Sequence, residues 1–241
     1  MSVADAHLHL DFFANPEVFA REAQACGLQA FANSVTPQGF AATTAATQGM
    51  PHVRVGLGLH PWWVDKASLD VFFDLLPQTR WIGEVGIDLS PKRAHHERQI
   101  NTFAQIAERC AHDGGKVLSL HSVRAADVVL DILEKTGCTR SCTCVFHWFS
   151  GSTEALWRAI RAGCWFSVNE MQASTRRATE QLKLIPADRL LLETDLPPAE
   201  DATTSVEDVV ASLERARDHL ERIRQQPMAE QLARNWERLA W

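Results

Sequence analysis

Basic residues are not in excess in this 241-residue chain: 24 lysines and arginines stand against 30 acids, a net charge of −6. That balance excludes a general basic coat for nucleic acid. It leaves open a local positive patch, or an acidic cleft that takes a phosphate through metal ions. No run of about 18 apolar residues occurs, so no membrane span is expected. The start shows no basic segment leading into a long apolar stretch, so no secretory leader is expected and the expected location is the cytoplasm. No G-x-G-x-x-G turn follows the first apolar run, which argues against an open doubly wound sheet. Tyrosine is absent against eight tryptophans, an imbalance for which we have no functional account. The six cysteines are scattered, as expected for reduced thiols in a cytosolic chain. Cys138, Cys142, Cys144 and His147 have a spacing only loosely like that of a zinc site, and His147 has a better use below.

What the chain does have is a regular alternation. Val3–Leu10 reads as a strand, and Pro16–Cys26 as a helix with proline in its first turn and Gly27 past its end. The strands that follow are Leu28–Val35, Val53–Leu59, Trp81–Leu89, Val117–Leu120, Cys144–His147, Trp165–Val168 and Leu190–Glu193. Between them, helical periodicity marks Pro37–Gln48, Leu69–Leu76, His95–His112, Ala125–Lys135, Thr153–Arg161 and a stretch around Arg177–Leu184. Ser205–Gln225 and Met228–Leu239 close the chain. Eight βα units without a linker predict a single α/β domain over residues 1–241, a TIM (β/α)8 barrel, a fold of about 250 residues.

In such barrels the chemistry sits at the C-terminal ends of the strands. The stretch DAHLHLD puts His7 and His9 on one face of the first strand, with Leu8 and Leu10 on the other. His60 follows the third strand, Glu84 lies in the fourth, His121 and His147 end the fifth and sixth, and Asp195 follows the eighth. His52, His95, His96, His112 and His219 lie elsewhere and read as solvated or structural. Neutral imidazoles and carboxylates gathered at one mouth are costly to bury without a cation. Six protein ligands exceed what one tetrahedral zinc needs. They suit two divalent ions roughly 3.5–4 Å apart under a bridging carboxylate, with Glu84 the candidate bridge. Zinc, manganese, magnesium and iron all fit such donors.

The ordered motifs DAHLHLD, GLGLHPWW, GEVGIDLS, LSLHS, FHWFSGS, LLLETDLPP and NWERL resemble those of the TatD family of metal-dependent DNases, amidohydrolase-like barrels. The resemblance covers nearly the whole chain. Within that family, LHS, HWFSGS and GCWFSV resemble the TatD-like nuclease of the Qat anti-phage defence systems. The resemblance implies that His7 and His9 hold one metal, with Asp195 beside it accepting a proton from the attacking water. It implies that Glu84 bridges, that His121 and His147 hold the second metal, and that His60 donates a hydrogen bond near the scissile phosphate. The implied reaction is hydrolysis of DNA from a single-stranded end, 3′ to 5′. Three positions depart from the family pattern. Val123, followed by Arg124, stands where many members carry an arginine. Leu196 replaces a small residue and is expected to narrow the mouth, and Pro197–Thr204 is short and acidic.

Two other readings remain at this point. Barrels of this kind also cleave amides, lactones and other esters, so fold alone does not choose the bond. The chain is also read as a candidate subunit of a multi-protein defence complex with structural metals, although an unaccompanied monomer is the default. Trp62 and Trp63, beside the mouth, suit stacking on bases or on a protein surface, and tryptophans are more often core.

Overall fold

A computed structural model describes residues 3–200 and 203–240. Eight parallel strands run β1 (Val3–Leu8), β2 (Leu28–Asn33), β3 (Val53–Gly56), β4 (Trp81–Gly86), β5 (Val117–His121), β6 (Thr143–His147), β7 (Trp165–Val168) and β8 (Leu190–Leu192). The helices are α1 (Pro16–Ala25), α2 (Pro37–Ala46), α3 (Leu69–Leu75), α4 (His96–Asp113), α5 (Ala126–Thr136) and α6 (Cys138–Ser141). They continue with α7 (Thr153–Arg161), α8 (Glu170–Ala173), α9 (Arg176–Leu184), α10 (Val206–Arg224) and α11 (Ala229–Ala240).

The ladders run β1-β2-β3 and β4 through β8. The two seams between them are stitched by backbone hydrogen bonds. Leu57 N donates to Trp81 O and Gly83 N to Leu57 O, each at 2.9 Å. At the other seam, Asp195 N donates to His7 O and His9 N to Leu196 O, each at 2.8 Å. The sheet therefore curls into a closed α/β TIM barrel, and the open-sheet alternative is excluded.

Local sequence explains the helix ends. Asn15 and Thr36 cap α1 and α2, each followed by proline at the first helical position, where its missing N–H costs nothing. Ser205 and Asp208 form a reciprocal capping box on α10. Helix α6, four residues without a visible period, is an addition to the sequence expectation.

Strand alternation places the site. In VLSLH, CVFH, WFSV and LLLE every second side chain points into the barrel. Val117, Val145, Trp165 and Leu191 form an apolar floor with Phe31, Trp81 and α11 residues Trp236 and Leu239. Two residues further along, the same inner rows carry Ser119, His147, Ser167 and Glu193, all buried. The intervening Leu118, Cys144, Phe146, Phe166 and Leu190 face outward into the core shared with the helices. Cys144 and His147 thus lie on opposite faces of β6, which removes the cysteine–histidine zinc reading; all six cysteines are free. Irregularities in the ladder between Asp5 and Leu8, and between Ile82 and Glu84, fall beside His7 and Glu84, as bulges near active sites commonly do. No helix among the described residues is long and apolar enough to cross a membrane.

Candidate metal centre at the barrel mouth

The six expected ligands and His60 converge at the C-terminal ends of the strands. Glu84, 3% exposed, lies at their centre. Its Oε1 is 2.6 Å from His121 Nδ1, 2.9 Å from His147 Nε2 and 3.3 Å from His60 Nε2. Its Oε2 faces the other way, 3.4 Å from His9 Nε2 and 3.7 Å from His7 Nε2. Asp195 Oδ1 closes that second group, 3.2 Å from His9 Nε2 and 3.6 Å from His7 Nε2. One carboxylate therefore presents a separate oxygen to each of two histidine clusters.

The far side of each ring fixes its tautomer. His9 Nδ1 lies 2.9 Å from Asn33 O, and a carbonyl only accepts, so Nδ1 carries the proton and Nε2 keeps a lone pair for a ligand. His7 Nδ1 lies 2.7 Å from Ser119 Oγ, which can accept in the same way. His60 is set the opposite way. Its Nδ1 accepts from Trp62 N at 3.0 Å, so in the neutral ring the proton is on Nε2, the nitrogen facing Glu84. Burial pushes the His60 pKa down to about 4, so the ring is neutral at pH 7. His60, Glu84 and His121 do bring ligand atoms together, but His60 faces them with a donor rather than a lone pair.

Three further acids support the cluster. Asp5 Oδ1 accepts from His7 N at 3.0 Å and Thr194 N at 3.1 Å, while Oδ2 accepts from the Thr194 hydroxyl at 2.6 Å. These bonds tie β1 to the turn that carries Asp195, whose φ of 59° lies in the left-handed region. Glu193 accepts from Ser167 Oγ, from Asn169 Nδ2 at 3.0 Å and from Trp148 N at 3.0 Å. Burial pushes both Asp5 and Glu193 up to about 7. Asp88, 3.6 Å from His121 Nε2, is held well below the usual carboxylate range, because the nearby His121 ring and hydrogen bonds from Trp62 and Ser90 outweigh its burial. Sequence reasoning passed over all three. The available signal was an acid inside an otherwise apolar strand run, as in LLLE and VADAHL.

The electrostatics fit divalent metal ions. The Nε2 lone pairs of His7 and His9 and the oxygens of Glu84 and Asp195 face one another within hydrogen-bond range or slightly beyond. Such an arrangement repels unless a cation or a proton lies among them. Without a metal a proton takes that place: against the cost of burial, Asp195 and Glu84 push the His9 pKa up to about 10. His7 goes down to about 3, through burial and through His147, whose ring stacks on it at 4.0 Å. Burial alone would raise Glu84, but the fields of His60 and His147 and hydrogen bonds from His121 and His147 hold it well below its ordinary value. His121 Nε2 and His147 Nδ1 are buried without a hydrogen-bond partner. A borderline donor set of imidazoles and carboxylates with spare nitrogens suits zinc, manganese or iron, and its oxygens suit magnesium.

The departures noted in the sequence have their places here. Arg124, on the loop after β5, is exposed, with a φ of 54°. Leu196 is half-buried and packs against the core. Within Pro197–Thr204, residues 201 and 202 lie outside the described residues.

Known proteins share this architecture. The TatD related DNase family matches residues 4–240. The chain is 30% identical over 210 residues to the uncharacterized metal-dependent hydrolase YjjV of Escherichia coli K12, covering 80% of this chain and 78% of that one. The solved structure of YjjV superposes with a TM-score of 0.81 at 25% identity, covering 99% of this chain and 97% of that one. The 3′-5′ ssDNA/RNA exonuclease TatD of Erwinia billingiae is 35% identical over 148 residues, 58% of this chain. That match spans 56% of the exonuclease, little more than half its length. Matched over residues 4–240 and to YjjV, and with a candidate ligand set at the mouth of its closed barrel, the chain belongs to the TatD family of metal-dependent hydrolases.

Proposed function

We propose that the protein is a two-metal phosphodiesterase that removes nucleotides from the 3′ end of single-stranded DNA. The observation that carries this reading is the division of Glu84, with Oε1 toward His121 and His147 and Oε2 toward His7 and His9. His7, His9 and Asp195 would hold one ion, His121 and His147 the other, and Glu84 both. When bound, such ions supply positive charge that polarises the phosphate and makes a nucleophilic water available near neutral pH. His60, neutral and protonated on Nε2, donates a hydrogen bond to a phosphate oxygen. Asp195, which His9 and the neighbouring imidazoles hold below its ordinary value despite its burial, is ionised and accepts the proton of the attacking water. The choice of DNA is supported by the exonucleases named among the relatives.

The test uses DNA labelled at either end and protein stripped with chelator, then resupplied with magnesium, manganese, zinc or iron one at a time. A ladder shortening from the 3′ end, restored by metal, is expected. Absence of cleavage by protein that still binds two ions would sink the DNA reading and point to another ester or an amide.

A further inference from the structure

A cation stands at the rim that the metal centre does not use. Arg93 lies in the loop between β4 and α4, and its guanidinium carbon sits 3.2 Å from the centroid of the Trp62 ring. At that distance the planar group lies flat on the indole. Trp62 is itself fixed. Its Nε1 donates to Asp88 Oδ2 at 2.7 Å, its backbone N donates to His60 Nδ1, and it stacks on Trp63 with an interplanar angle of 20°. Asp88 is 2% exposed. The same Oδ2 lies 3.8 Å from Arg93 Nε and 3.6 Å from His121 Nε2. A single buried carboxylate oxygen therefore links the guanidinium, the indole and a ring of the metal centre.

The Nε edge of Arg93 faces Asp88, which leaves the Nη edge open. That side chain is 37% exposed, and among the described residues its guanidinium makes no hydrogen bond within the protein. A planar cation whose orientation is set by stacking, with two outward N–H groups uncommitted, matches the geometry of a phosphate. The whole chain carries −6, so a polyanion reaching beyond the metal centre meets few cations, and Arg93 is one placed beside the centre in advance.

We propose that Arg93 recognises a phosphodiester adjacent to the one hydrolysed, through its Nη edge, and that Trp62 and Asp88 are positioning residues that set the plane of the guanidinium. The proposal rests on the nuclease reading and adds the residue by which this chain grips a single-stranded nucleic acid.

The test measures binding of a short fluorescein-labelled oligothymidylate by anisotropy across a salt series, in chelator so that no cleavage intervenes. Steady-state kinetics of the metal-loaded enzyme run in parallel. Arg93→Ala is expected to weaken binding about tenfold, the scale of one charge-assisted hydrogen bond. It should also lower the slope of log Kd against log salt by about 0.7, one phosphate contact on a single strand. Arg93→Lys should keep the slope and lose part of the affinity, because an ammonium neither stacks flat nor bridges two oxygens. Trp62→Ala should also keep the slope, while raising KM more than it lowers kcat. An Arg93→Ala protein with the wild-type slope and KM would overturn the proposal and leave the nuclease reading intact. A wild-type protein that neither binds nor cleaves the strand would overturn both.

Discussion

The Ser119 hydroxyl lies 2.7 Å from His7 Nδ1, on the edge of the ring opposite the nitrogen that faces Glu84. By accepting from Nδ1 it would hold the imidazole in the tautomer and plane that a metal ligand needs. Ser119→Ala should therefore lower metal affinity by about 10- to 100-fold, the usual effect of removing such a partner. Titration calorimetry with zinc or manganese would show it. Wild-type affinity in the variant would mean that His7 does not depend on the hydroxyl for its orientation.

Glu84→Gln keeps the size of the side chain and removes its charge. The amide offers one acceptor oxygen where the carboxylate offers two, so it cannot serve both histidine clusters. Metal content by elemental analysis should fall, and turnover should drop at least about 10²- to 10³-fold, the scale of removing one preorganised transition-state group. Normal turnover with full metal content would refute the bridging role.

Gly86 has a φ of 142°, and a Cβ added there would lie 2.0 Å from His121 O. Side chains rarely adopt that backbone, and the atom it would meet is part of the β5 ladder. Gly86→Ala should cost about 1–3 kcal/mol of stability, seen as a lower Tm. It should also weaken metal binding by displacing His121. A variant that melts and binds metal like the parent would show that the β4–β5 ladder yields freely.

Asp5 gives a pH signature for the metal-free protein. Its folded pKa, raised by burial from 3.8 to about 7, lies above that of the unfolded chain. The folded state then binds the proton more tightly between those values, so stability is fully present below about 4 and is lost as pH rises through about 7. The Asp5→Asn variant lacks this dependence. In chelator, the Tm of the wild type should therefore fall relative to that of Asp5→Asn as pH rises from about 4 to 7. A constant difference would show that Asp5 titrates alike in both states.

Much of this organisation is legible in the sequence because strand physics is local. The alternation in VLSLH and CVFH places His121 and His147 inward once both faces of a strand are buried, and the pair in DAHLHLD follows the same period. Strand ends are less legible. The apolar run predicts β3 through Leu59, but the ladder stops at Gly56 and resumes only as a bridge between Leu59 and Val85. Gly58 intervenes there, against Ser34 O, where a Cβ would come within 1.6 Å. The roles of Asp5, Asp88 and Glu193, and the stack of Arg93 on Trp62, are set by tertiary contacts between segments far apart in sequence, which no periodicity encodes.

The floor of Phe31, Trp81, Trp165 and Trp236 has a consequence for traffic. With its lower end stoppered by large rings, the barrel is a cul-de-sac. A polymer cannot thread through it, and under the proposed nuclease reading a strand would enter and its products leave through the same mouth.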